Sequence, residues 1–222
     1  AEGVVLLEEA LECSRMSTVD LGEKGVLLLR QLRIGMLFNM GAYDKAYDEL
    51  RVVCWYEPDN AAMWTLLDKI LIRGGLCYGS GPQKFLVRIL ARHPASFPLT
   101  MLVAHHCLLT NNTGFAVAEY ARALALRPDD ALAHLCLGLS LLFRSMNRRN
   151  LDRQRMVVQS FAFLHQYARL RGERTNEALY NLARAHQHLG INDIAERLYQ
   201  PLLARPDPAL RMEAAFNLAA LY

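Results

Sequence analysis

The sequence predicts an all-α chain built as helix pairs in tandem, about twelve helices in all. Three observations carry the prediction. Phe97 to Asp130 reads as two amphipathic helices around a tight polar turn: Met101, Leu102, Cys107 and Leu108 face inward on the first, and Ala116, Tyr120, Ala123 and Leu124 on the second. From Pro94, which ends the preceding pair, to Pro128, which ends this one, is a step of 34 residues. Glu177-Ala178-x-Tyr180-Asn181-Leu182-Ala183 returns 36 residues later as Glu213-Ala214-x-Phe216-Asn217-Leu218-Ala219. Sustained strand alternation occurs nowhere in the sequence.

That step, together with the small-large-small order Ala116, Tyr120, Ala123 before a proline, resembles the tetratricopeptide repeat (TPR). The resemblance implies a right-handed superhelical solenoid, because helical pairs that cannot bury their faces alone stack on one another and leave an inner groove lined by first helices. It implies a protein-binding scaffold and no catalysis. The expected organisation is one array over residues 1–222, with leading helices at 1–40. Repeat units follow at about 27–60, 61–96, 97–130, 131–173 with an insertion, and 175–208, then a half repeat at 209–222.

In chain order, Gly3 to Met16 forms a short helix with Val4, Leu7 and Leu11 on one stripe and Glu2, Glu8, Glu9 and Glu12 opposite. After a break at Ser17 to Asp20, Asp20 and Glu23 fit a capping box, and Gly41 ends the helix they start. Arg30 and Arg33 stand where the repeat expects Trp and Leu, so this first helix should pack irregularly. Ala46, Leu50 and Val53 line the next helix, Pro58 closes it, and Asp59 or Asn60 caps the one after. Trp64, Leu67 and Leu71 fit the repeat, but the turn from Gly74 to Gly81 is glycine-rich, and Pro82 should open the following helix. It lacks the preceding strand and the Lys-Ser/Thr pair of a phosphate-binding loop. Leu137, Gly138 and Leu141 restore the pattern, which breaks again over the polar, basic stretch Ser145 to Arg155. A helix with Val157, Phe161, Leu164 and Ala168 inside then runs from Met156 to Leu170, closed by Arg171-Gly172, leaving this unit about ten residues overlong. Ala195, Tyr199 and Leu202 line the last second helix, which Pro201 should kink or shorten.

Composition narrows the function classes. A net charge of +3 is too mild to announce nucleic-acid binding. Cys13, Cys54, Cys77, Cys107 and Cys136 are odd in number, never in CxxC spacing and always in helical patterns, so they read as reduced small hydrophobes of an intracellular protein. No apolar run is long enough for a membrane span, and no membrane partner is expected. The opening without methionine and the stop inside a helical pattern at Leu221-Tyr222 suggest a piece of a longer protein.

Chemistry is sparse. His105 and His106 are adjacent on a helix and point about 100° apart, so they cannot readily share a metal; His105 should face the groove and His106 pack. His134, His186 and His188 are scattered, and no nucleophile–base arrangement or paired carboxylates occur. No enzyme, cofactor, metal or catalytic residue is expected. The most suggestive local feature is basic: Arg144, Arg148, Arg149, Arg153 and Arg155 put five arginines in twelve residues, with Asp152 the only acid. This run fits a solvated helix start, an acidic partner segment or direct DNA contact, the last without aromatic interleaving to support it. Positive charge at a helix start opposes the macrodipole, so something should offset it. Repeat positions place Lys69, Met101, His105, Leu135, Leu139, Tyr180, Arg184 and Gln187 on the concave face, a mixed lining suited to a peptide. The residue set that chaperone-adaptor TPRs use to clamp a C-terminal carboxylate is not evident.

A narrower resemblance lies in residues 94–222. Arg148-Arg149, Val158-Gln159-Ser160-Phe161-x-Phe163-Leu164, Tyr167, Leu170-Arg171-Gly172, Tyr180-Asn181-Leu182 and Leu189-Gly190 resemble the C-terminal repeats of the TPR subunit of transcription factor IIIC. The resemblance implies a nuclear scaffold that holds other subunits of a promoter-binding factor through peptide or helical segments. It also implies help in bringing in initiation factor IIIB for RNA polymerase III, with DNA contact at most indirect or minor. A generic TPR peptide-binding adaptor, for a chaperone or another large assembly, is the alternative.

Overall fold

The computed structural model describes residues 2–15, 22–173 and 175–222. The side chain of Cys13, the break at Ser17 to Asp20 and the capping pair Asp20 and Glu23 lie outside what is described. Among the described residues there are twelve α-helices and no strand. They are α1 (Glu2–Arg15), α2 (Gly22–Asn39), α3 (Tyr43–Tyr56), α4 (Ala61–Arg73), α5 (Ser80–Arg92), α6 (Phe97–Leu109), α7 (Thr113–Leu126), α8 (Ala131–Met146), α9 (Arg153–Arg171), α10 (Asn176–His188), α11 (Asn192–Leu203) and α12 (Pro208–Ala219). The chain divides into two compact units, residues 1–110 and 111–222.

In the first unit α2 packs on α1 and α3, α3 on α4, and α6 on α4 and α5. Ala46, Leu50 and Val53 are fully buried on α3, as are Trp64, Leu67 and Leu71 on α4, at the positions the period assigned to them. Asn60 caps α4 by accepting from the Met63 amide, and the Trp64 indole N–H donates to the Pro58 carbonyl at 2.7 Å. The glycine-rich turn is ordered by a 3-10 helix at Leu76–Tyr78 that buries Cys77. α5 starts at Ser80, two residues before the expected Pro82; proline at the third helical position still falls where the N–H has no partner within the helix. Helix α6 buries eight residues, from Leu99 through Cys107, on nearly every side, and Leu108 is only half-buried.

The second unit repeats the same local devices. Asp130 caps α8 through the Ala133 amide, Thr175 caps α10 and Asp207 caps α12. His134 stands six residues after Pro128, as Trp64 stands six after Pro58, and its Nε2 lies 2.8 Å from the Pro128 carbonyl. The histidine therefore does the indole's job at a repeat position where the sequence offered no tryptophan. Inter-helix turns need one left-handed residue; Gly41 and Gly190 supply it at φ +74°, and Asn111 at φ +59°. Ala195, Tyr199 and Leu202 are buried on α11, which ends at Leu203, two residues past Pro201.

The overlong unit is resolved differently from the expectation. Both helices grow rather than the connection: α8 runs on through Ser145 and Met146, and α9 already starts at Arg153, so only 147–152 are non-helical. Of two bonds at this end, one lies within α8 and the other ties α9 to it. Ser145 Oγ donates to the Leu142 carbonyl within α8, and Arg153 Nε donates to the Ser145 carbonyl at 2.8 Å. At mid-length Ser160 Oγ donates to the Gly138 carbonyl at 2.7 Å, and Leu164 packs over the bare Gly138 Cα.

Candidate partner-binding surfaces

Arg30 and Arg33 turn out to be paired. Their guanidinium groups meet the two Glu49 carboxylate oxygens at 2.6 and 2.8 Å, and Arg33 also bonds Glu8 on α1. One carboxylate on α3 thus replaces the apolar contact that the repeat normally makes. Glu49 was the missing half of the sequence reading, since nothing in one-dimensional spacing marks it as the partner.

The expected concave-face residues have different surroundings. In the first unit Lys69 is exposed, Met101 is buried, and His105 is half-buried beside Asp68. Burial lowers the pKa of both His105 and His106, and burial raises that of Asp68, the one carboxylate acting on them. His106 is buried with neither ring nitrogen hydrogen-bonded. In the second unit Leu135 and Leu139 pack against the cluster of Leu142, Leu164, Tyr167 and Leu182, while Arg184 is exposed.

Tyr180 and Gln187 belong to a polar ladder that explains the internal echo. Asn181 Nδ2 donates to the Tyr167 hydroxyl at 3.0 Å, and Asn217 Nδ2 donates to the Tyr180 hydroxyl at 3.1 Å. Glu177 and Glu213 reach the same two hydroxyls. Each Glu-Ala-x-x-Asn segment therefore clasps a tyrosine of an earlier helix, with Glu and Asn one turn apart on one face. Gln187 extends the ladder, accepting from the Tyr199 hydroxyl and donating to the Asn217 carbonyl. Burial pushes Tyr167 and Tyr199 up to about 12.

The basic run sits around the α8–α9 junction. Arg144 is half-buried, its guanidinium 3.1 Å from where a Cβ on Gly114 would sit. Arg148, Arg149, Arg153 and Arg155 are exposed, and none of the five forms an ion pair among the described residues. The Arg153 bond to Ser145 puts a cation on the carbonyl end of α8, which offsets part of the repulsion at the start of α9. Asp152 stands at the cap position of α9 without making a side-chain cap bond. Around the arginines lies a cleft of about 800 Å³ whose lining is half apolar, with Leu151, Val157 and Val158 among its aliphatic members, and half polar, with Asp152, Arg153 and Arg155 among its charged ones. Sequence reasoning found the arginines and missed the cleft, because spacing along one helix does not show that Leu151 and Val158 stay exposed beside a concavity.

Cysteine and metal chemistry is quiet in the described residues. Cys54, Cys77, Cys107 and Cys136 are thiols outside any disulfide, and burial raises the pKa of Cys54 to about 12 and of Cys136 to about 11. No group of three or more His, Cys, Asp or Glu among the described residues is placed to hold a metal. No helix of the described residues is long and apolar enough to cross a membrane.

Comparison with known proteins agrees with the helix-pair fold. No family model matches the chain. General transcription factor 3C polypeptide 3 of Homo sapiens is 26% identical over 190 residues, covering 81% of this chain and 21% of that protein. Transcription factor tau subunit sfc4 of Schizosaccharomyces pombe is 36% identical over 121 residues, 51% of this chain and 12% of that one. The tau 131 kDa subunit of Saccharomyces cerevisiae is 32% identical over 101 residues, 43% and 10%. The chain is a TPR array similar to the TPR subunit of transcription factor IIIC. It spans between 10% and 21% of the length of these relatives. A thermophilic TPR protein of Thermus thermophilus matches with TM-score 0.61 at 21% identity, over 87% of this chain and 99% of that one. The TPR protein YrrB, described as having an unusual peptide-binding site, matches with TM-score 0.56 at 12% identity, over 95% and 97%. At such identities the likeness shows the fold alone.

Proposed function

We propose that this chain is a non-catalytic interaction scaffold acting in the nucleus within a multi-subunit transcription factor of the IIIC type. It holds partner subunits through peptide or helical segments and helps bring in initiation factor IIIB for RNA polymerase III. The observation that supports this best is the convergence of a TPR fold with curated relatives that are transcription-factor subunits, one of them 36% identical.

Two surfaces are proposed for that binding. One is the basic run Arg144, Arg148, Arg149, Arg153 and Arg155. The other is the first-helix set expected from repeat positions, Lys69, Met101 and His105 in the first unit and Leu135, Leu139, Tyr180, Arg184 and Gln187 in the second, each unit considered by itself, of which Lys69 and Arg184 offer exposed charge. The reading of residues 1–222 as one continuous array belongs to the same proposal, supported by a repeat step that runs unbroken from Pro94 to Pro128. A crosslinking map of the native complex tests the proposal: crosslinks from these two surfaces to other subunits or to initiation factor IIIB are expected. Recovery of the chain from nuclear extract with no polymerase III factor attached would overturn it.

A further inference from the structure

We infer that the cleft at the α8–α9 junction docks a short acidic segment bearing large aliphatic side chains, supplied by another protein. This rests on the scaffold reading and names the chemistry of one partner. The cleft holds about 800 Å³, room for more than one large side chain. Leu151 is fully exposed at its edge, and Val158, on the first turns of α9, is 70% exposed. An exposed aliphatic pair beside a concavity is a surface made to be covered.

The residues around Val158 have packing roles that it lacks. Ser160 ties α9 to α8, Leu164 covers Gly138, and Tyr167 accepts from Asn181. Val158 points outward from the same helix without such a task.

Charge decides what covers it. Arg153, Arg155 and Asp152 line the cleft, two cations to one carboxylate, and Arg148 and Arg149 add two more cations on the adjoining 147–152 segment. Asp152 is the single acid of the run, and Arg148, Arg149 and Arg155 have no ion-pair partner among the described residues. The aliphatic lining asks for aliphatic groups and the excess of arginines for carboxylates, and an acidic amphipathic segment carries both. A nucleic acid would satisfy the arginines alone, since no aromatic residue lines the cleft to stack a base.

The test uses the 222-residue chain and three short fluorescent peptides of equal length: Glu with Leu, Glu with Ala, and Lys with Leu. A labelled DNA duplex is the fourth probe, and anisotropy reports binding. Leu151→Glu and Val158→Glu change exposed side chains, so circular dichroism should show the wild-type melt. The Glu/Leu peptide should bind best, with the Glu/Ala peptide about tenfold weaker for each leucine-sized side chain it lacks. Leu151→Glu or Val158→Glu should cost a similar factor. Arg148→Glu with Arg149→Glu should weaken the Glu/Leu peptide and not the Lys/Leu one. Equal binding of the Glu/Ala peptide, or duplex binding indifferent to Leu151→Glu, would reduce the site to a charged patch and overturn the inference. Dimerisation of the chain that Leu151→Glu abolishes would overturn it as well, by making a second copy the occupant. None of these failures touches the scaffold reading, which the crosslinking map decides separately.

Discussion

Replacing Glu49 by alanine should be one of the most damaging single changes outside the apolar core. The carboxylate is 17% exposed and faces two arginines that are 14% and 12% exposed. Its loss strands Arg30 without a carboxylate and leaves Arg33 only the bond to Glu8. Removing one partner of a largely buried pair costs about 3–5 kcal/mol because the remaining charge stays desolvated; the residual Glu8 contact puts this case near ~3 kcal/mol. For a chain of this size ~3 kcal/mol corresponds to roughly 6–12 °C in Tm. Circular dichroism melts of the 222-residue chain measure it. Asp48→Ala is the control: Asp48 is 71% exposed and 3.9 Å from Arg51, so its loss should shift stability by less than about 0.5 kcal/mol. Arg30→Met, Arg33→Met and Glu49→Leu together should recover most of the loss, because well-packed apolar groups replace the buried ions at little cost and Glu8, 54% exposed, is left to solvent. A Glu49→Ala melt within a degree or so of wild type, or an equal loss from Asp48→Ala, would refute the argument.

Three further outcomes are expected. Gly138→Ala should destabilise by about 1–3 kcal/mol, since its Cβ would sit 2.9 Å from Leu164 Cγ and 3.1 Å from the Ser160 carbonyl. Gly114→Ala, which meets only the end of the Arg144 side chain, should be nearly neutral in the same melts. Tyr180→Phe and Asn217→Ala should each cost about 1 kcal/mol, and their double mutant little more than either, if the hydroxyl–amide bond is the shared loss; additive values in urea titrations would dissolve the ladder. Acidification should destabilise the chain. Burial holds His105, His106, His186 and His188 below their ordinary 6.5, so the unfolded chain takes up protons first. Their contribution is full above 6.5 and falls away as pH drops below it, opposed by Asp68, whose pKa burial raises. Tm should therefore fall between about pH 7 and pH 5. His106→Leu should flatten that slope, and a Tm that rises on acidification would contradict it.

Periodicity made the fold class legible. Ala46, Leu50 and Val53, Trp64 with Leu67 and Leu71, and Ala195 with Tyr199 and Leu202 are all buried where a 3.6-residue stripe placed them. Terminator prolines worked for a similar reason, because the missing N–H is a local fact that no tertiary contact restores. Local reasoning failed where a side chain's partner lay on another helix. Arg30 and Arg33 read as irregular because Glu49 is sixteen or more positions away, and the stretch from Ser145 read as a polar break because Arg153 pins it from beyond the turn. Among the candidate binding residues, spacing identified the arginines, while the cleft beside them depended on which aliphatic side chains of α9 remained uncovered.

By itself, then, the sequence determined an all-helical TPR chain, its proline terminators, the Asn60 cap and a similarity to a transcription-factor subunit. Each of these is written in spacing along one helix or in residue identity. Only the tertiary structure decided that His134 serves where Trp64 serves, that Glu-Ala-x-x-Asn is a clasp for a tyrosine, and that Leu151 and Val158 face water beside unpaired arginines. Those are relations between helices, and the pattern along one helix does not encode which neighbour its outward side chains will meet.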